Sequence, residues 1–236
     1  MSATVKGPHV TVVTLDHPQL TAIYASGAYN GVGSIKQLCD SIWRASMNVP
    51  LVRVDPDSDQ SPYDKQRKFR GDAFEIFGEY FCRVTDTDSR VGVRAGQLVP
   101  LEEDVGVDLH GDSTLGDGPV SVQFKFKSDA TYEFKLRELA TWLAASGHIY
   151  GASGRNLILV TTSACVNYRV RQVVPNLRVV NRTILQEMTD TNVGFWNDFH
   201  ASLAGSVKTP KQRQDRTLYP DQEAALASIA NWMDNR

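Results

Sequence analysis

Apolar residues recur along this chain at two spacings, and the alternation between them lays out the elements. "HVTVVTL" from His9 is a β-branched run and "PLVRV" from Pro50 a short extended one, with "SIKQLCDSIWRA" from Ser34 between them at helical spacing. The start of the chain therefore reads as strand, helix, strand, a small α/β layer. "DPDSDQSPYDKQRKFRGD" from Asp55 is polar and broken by Pro56 and Pro62, a loop that turns basic as it nears the next helix. That helix is expected over roughly Lys68 to Val84: Phe69, Ala73, Ile76, Phe77 and Tyr80 share one side, while Asp72, Glu75 and Glu79 fall on another.

"RVGVRAGQLVP" is extended, and two further strands, "VGVDLHG" and "VSVQFKF", are joined by the Gly/Asp-rich turn "HGDSTLGDG". Then come an amphipathic helix in "YEFKLRELATWLAAS", a buried strand in "NLILVTTS", and a strand running into a helix in "LRVVNRTILQEM". Helix, antiparallel hairpin, helix, strand, helix is the order of an α/β domain with a mixed sheet. From about Ala204 the composition turns polar, "GSVKTPKQRQDR", before the helical pattern "TLYPDQEAALASIANWM". The reading divides the chain into a domain over 1–204, with its core at about 64–190, and a linker with the first helix of a further domain over 205–236.

Composition narrows the function classes. The chain has 236 residues, 42% hydrophobic and 22% charged, with a formal net charge of -2, so any nucleic-acid contact must come from local basic clusters rather than from the average field. Cys39, Cys82 and Cys165 form no CxxC pair and leave an odd one over, which argues against a disulfide framework or a thiolate zinc site. No apolar run is long enough for a membrane span, and "MSATVKGPHV" lacks the core of a signal peptide, so a cytoplasmic protein without membrane contact is expected.

The candidate chemistry sits in the hairpin. Alternation puts Val122, Phe124 and Phe126 on one face of their strand and Gln123, Lys125 and Lys127 on the other. A half-solvated strand produces the same alternation. A turn near Gly116 to Gly118, however, brings Asp108 beside Gln123 on the neighbouring strand. The Asp108 carboxylate, the Gln123 side-chain carbonyl and the main-chain carbonyl of Phe124 are three hard oxygen ligands suited to Mg²⁺ or Mn²⁺. Lys125, on the same face, is placed to orient an attacking water. His110 and Asp112 flank this Asp, but no second His stands at ligand spacing.

"RGDAFEIFGEYF", "VGVDLHG" and "VSVQFKF", followed by "NLILVTTS" and "LRVVNRTIL", resemble the PD-(D/E)-x-K nucleases, whose fold is a restriction-endonuclease-like mixed β-sheet flanked by helices. The match is to the Mrr-like branch, where Gln replaces the second acid, and it covers about Lys68 to Met188. The resemblance implies metal-dependent hydrolysis of DNA phosphodiesters, with Asp108 as principal metal ligand, Gln123 as the second and Lys125 as the conserved lysine. It also implies that Glu75 completes the site from the helix, Glu79 one turn on being the alternative. A nuclease-fold module that binds DNA without cutting it is the competing expectation.

DNA also requires a basic footprint. Lys65, Arg67, Lys68 and Arg70 precede the Glu75 helix, and an acid-free stretch between Glu138 and Glu187 carries Arg155, Arg169, Arg171, Arg178 and Arg182. "RTLYPDQEAALASI" resembles the start of a superfamily 2 helicase or translocase, which implies a motor domain in the same polypeptide. No G-x-x-x-x-G-K-[ST] occurs, so this chain does not hydrolyse ATP through that motif.

Overall fold

The computed structural model describes residues 11–51, 61–100, 106–114 and 118–207. "PLVRV" from its third residue, and the linker and terminal helix expected over 205–236 from residue 208 onward, lie outside the described residues. Two helices open the fold, α1 (Leu20–Ala25) and α2 (Ile35–Met47), the second capped by the Ser34 hydroxyl, which accepts the Gln37 N–H at 3.2 Å. The long α3 (Asp64–Val84) starts four residues before the expected Lys68, so Lys65 and Arg67 stand on the helix rather than in a loop.

Five strands then form the main sheet: β1 (Val93–Leu98), β2 (Leu109–Ser113), β3 (Pro119–Lys125), β5 (Leu157–Thr161) and β7 (Arg178–Val180), in the order β1-β2-β3-β5-β7. β1 with β2 and β2 with β3 pair antiparallel, whereas β3 with β5 and β5 with β7 pair parallel, which makes the sheet mixed as expected. The short β4 (Glu133–Phe134) and β6 (Cys165–Val166) pair separately. Neither was signalled by the hydrophobic pattern. β2 extends through His110 to Ser113, so the connection to β3 is tighter than the turn read from "HGDSTLGDG". The remaining helices are α4 (Leu136–Ile149), α5 (Tyr168–Val173), α6 (Arg182–Thr189) and α7 (Phe195–Ser206). α7 carries the domain two residues past the expected boundary at 204.

Helices cover both faces of the sheet. Val120, Val122, Phe124, Ile158 and Val160 join one core with α1, α2, α3, α6 and α7, while Leu157 and Leu159 join a second with Leu139 and Trp142 of α4 and Val170 of α5. β3 is therefore buried on both sides, not half-solvated. Its polar positions are satisfied internally: the Ser121 hydroxyl lies 2.7 Å from that of Ser146 and accepts the Trp142 indole N–H at 2.9 Å. α3 lies so close to β3 that a Cβ at Gly78 would come 2.8 Å from Cζ of Phe124 and nearer still to two other ring carbons.

The β-branched run at the N-terminus does not join a sheet over its described part; no strand forms before Val93 among the described residues. The backbone N–H groups of Thr11, Val13 and Leu15 donate instead to Asp198, Ser202 and Ser206, at 2.9, 3.0 and 2.8 Å. Two residues of extended chain rise about 6.6 Å and four of helix about 6 Å, so every second N–H of such a segment meets the next turn of α7. Side-chain oxygens do here what a neighbouring strand's carbonyls would do. Over the described residues this ladder takes the place of the first strand expected at the N-terminus.

Candidate active site

Asp108 precedes β2 and Lys125 ends β3, so antiparallel pairing brings the two residues to one end of the sheet. The register Leu109↔Val122 places Asp108 opposite Gln123, as the hairpin spacing predicts, and the Asp108 N–H donates to the Val122 carbonyl at 3.1 Å. One carboxylate oxygen, Oδ2, accepts from the Gln123 amide nitrogen at 2.5 Å and from the Phe124 N–H at 2.6 Å. Gln123 thus holds Asp108 directly, and that bond satisfies its buried amide.

α3 reaches the same sheet end with Glu75, which lines an open cleft of about 520 Å³ together with Lys125, Arg67, Arg70 and Trp43. Burial and then the nearby Glu75 charge push the Asp108 carboxyl up to about 8, against the pull of the Phe124 N–H, Lys125 and Gln123. Two carboxylates set against each other in a partly dry site, with an ammonium beside them, form a strained arrangement of charge that a cation would relieve.

The two candidate helix acids occupy different surroundings. Glu79 is fully buried, accepting the Asp16 N–H at 2.9 Å and pairing with Arg83 at 2.8 Å, and burial raises its pKa. It ties α3 to the N-terminal segment. Glu75 keeps 27% of its side chain exposed and faces the cleft. The supposed polar face of α3 is in fact covered: Asp72 is buried too, bonded to Lys68 at 2.9 Å.

His17 escaped the sequence reading. Its ring is buried against α3, with Nε2 3.2 Å from Glu75 Oε2, and His17, Asp72 and Glu75 can bring one ligand atom each within 4.8 Å of one another. The Gln19 N–H donates to Nδ1 at 3.2 Å, so Nε2 carries the proton and donates to Glu75. In this tautomer the ring orients Glu75 and offers no lone pair to an ion there. "LDHPQL" has no motif spacing to Glu75, 58 residues away, and gave no signal.

The remaining basic residues scatter. Arg67 and Arg70 line the cleft, and Arg182 lines a neighbouring groove with Trp43 and Arg44. Lys65 is exposed on α3 and Lys68 is held by Asp72. Arg169 borders a separate cavity with Lys135 and Arg137. Arg171 donates to the Leu177 carbonyl, bracing its own loop, and Arg178 to that of Ser89 in the distant loop before β1. Lys127 is held by Glu138 at 3.2 Å and lies over the Tyr132 ring at 3.9 Å. His110 stacks on Tyr150 at 5.3 Å, in a half-buried setting. All three cysteines are free, and burial raises the thiols of Cys39 to about 11 and Cys82 to about 12. Among the described residues no helix is long and apolar enough to cross a membrane. Comparison with protein-family models, with curated proteins and with solved structures finds no match to this chain.

Proposed function

We propose that this domain is a metal-dependent DNA phosphodiester hydrolase of the restriction-endonuclease-like, PD-(D/E)-x-K kind. The observation that carries the reading is that Glu75 and Lys125 line one cleft flanked by Arg67 and Arg70, while Asp108, held behind it by Gln123 and the Phe124 N–H, lies close enough to feel the Glu75 and Lys125 charges. The neighbouring carboxylates of Asp108 and Glu75 suit Mg²⁺ or Mn²⁺, a cation would return the raised Asp108 to its charged form, and the Phe124 main-chain carbonyl and the Gln123 side-chain oxygen are the neutral ligands proposed beside them. When bound, such an ion neutralises phosphate charge and lowers the pKa of a bound water.

The protein's own groups divide the rest of the work. Lys125 is the cation set beside the phosphate where negative charge develops, and Arg67 and Arg70 hold the flanking backbone. Gln123, through its bond to Asp108, fixes the principal ligand without adding charge. A site with one acid fewer holds a divalent ion less tightly by itself, so phosphate oxygens of the substrate are expected to complete the coordination. A motor domain beyond the described residues and a cytoplasmic setting belong to the same proposal.

The test is cleavage of supercoiled and single-stranded DNA with Mg²⁺, Mn²⁺ or EDTA, by wild type and by Asp108→Ala and Lys125→Ala. Each substitution is expected to lower the rate by about a hundredfold or more while DNA affinity largely survives. Wild-type rates in either variant would refute the site. Binding without cleavage under any condition would leave a nuclease-fold DNA-binding module.

A further inference from the structure

The cleft has an aromatic wall. Trp43 on α2 is 41% exposed, off the stripe of Leu38, Ile42 and Ala45 that packs into the core. The Arg70 guanidinium lies 4.5 Å from its ring centroid and is pinned by a 3.1 Å bond to the Ser46 hydroxyl, one turn along α2. The surface that Arg70 leaves open borders two spaces. One is the Glu75–Lys125 cleft; the other is a groove lined by Arg44, Arg182 and Ser128, and Ser128 borders both. Asp40, which also lines the groove, is neutralised by Lys36 at 2.6 Å. Trp43 therefore stands on the ridge between the candidate active site and a second basic channel.

A ring in that place has little to offer a phosphate, which the arginines already serve. Bases in a duplex are stacked on each other and present only their edges. An unpaired base exposes its faces, and an indole backed by a guanidinium is a stacking surface for them. We propose that Trp43 is a base-stacking platform and that the site acts on single-stranded or locally unpaired DNA, whose chain continues over the ridge past Arg44 and Arg182. This rests on the nuclease reading of the cleft and adds its substrate class.

The experiment measures binding of a labelled single-stranded oligonucleotide and of the matching duplex in EDTA, by wild type, Trp43→Ala, Trp43→Leu and Trp43→Phe, with thermal unfolding as the check on folding. Trp43→Ala and Trp43→Leu are expected to weaken single-strand binding about 5- to 150-fold and duplex binding less than about twofold, with Trp43→Phe retaining most of the affinity. Trp43→Phe keeps an aromatic face beneath Arg70 and Trp43→Leu an apolar side chain without one, so the difference between these two reads stacking even if alanine perturbs Arg70. Unchanged single-strand affinity, or equal loss on both substrates, overturns the platform while wild-type cleavage keeps the nuclease reading intact. A wild-type protein that neither binds nor cleaves either DNA overturns both.

Discussion

Gly78→Ala tests the close approach of α3, which carries Glu75, to β3, whose Phe124 N–H holds Asp108. The added Cβ would sit 2.8 Å from Cζ of Phe124 and closer to two more ring carbons, where carbon atoms prefer about 3.5–4.0 Å. The ring cannot easily retreat: Phe124 is 3% exposed and meets Phe74 edge-on at 6.4 Å, and Phe74 stacks on Phe77 at 5.8 Å. Overpacking of a closed core costs about 1–3 kcal/mol, and this site belongs at the upper end. Alanine returns about 1 kcal/mol in helix propensity, leaving a net loss of about 2 kcal/mol. For a chain of this size that is a fall of about 4–8 °C in the thermal midpoint, read by circular dichroism. Because the Phe124 N–H holds Asp108, cleavage should fall as well. Phe124→Leu in the same chain should restore part of both, with a coupling of about 0.5–3 kcal/mol. A Gly78→Ala protein stabilised by the full propensity gain would refute the close approach of α3 to β3.

Two more outcomes follow from the charges. Glu79→Ala should destabilise the protein by about 3 kcal/mol, the low end for a broken buried pair because Arg83 still reaches water; Glu75→Gln should leave the midpoint within about a degree yet remove most cleavage. The opposite pattern in urea titrations and rate assays would exchange their roles. Asp108, with a folded pKa of about 8 against an ordinary value of 3.8, binds its proton more tightly folded than unfolded, so without divalent ions its contribution to stability is fully present below pH 4, falls as the pH rises, and is lost above 8. Midpoints measured from pH 5 to 8 should decline in wild type and flatten in Asp108→Asn; identical slopes would refute the shift.

What sequence alone could determine is what depends on near neighbours. Ser34 caps α2, and Asn181 caps α6 by accepting the Ile184 N–H at 3.0 Å, both at positions where the pattern starts a helix. The pairing of Asp108 with Gln123 was legible because a tight hairpin leaves few registers and period-two alternation selects among them. Lys125 follows from the same alternation. Glu75 was legible only through the resemblance, since Glu79 has the same local spacing, and burial by Asp16 and Arg83 is what separates the two.

Tertiary structure decided the rest. β-branched residues at Thr11 to Leu15 favour an extended chain but do not specify whose acceptors it meets, and the oxygens of Asp198, Ser202 and Ser206 on α7 took the place of a strand. Two-sided burial turned an expected solvent face of β3 into the packed support of Ser121 and Gln123, because α4 folds back over it. His17 reaches Glu75 and Trp43 reaches Arg70 only when α3 is laid against the N-terminal segment and α2. Spacing along the chain encodes contacts within a strand pair or a helix turn. Contacts between distant segments arise from the packing of whole elements, which no local pattern records.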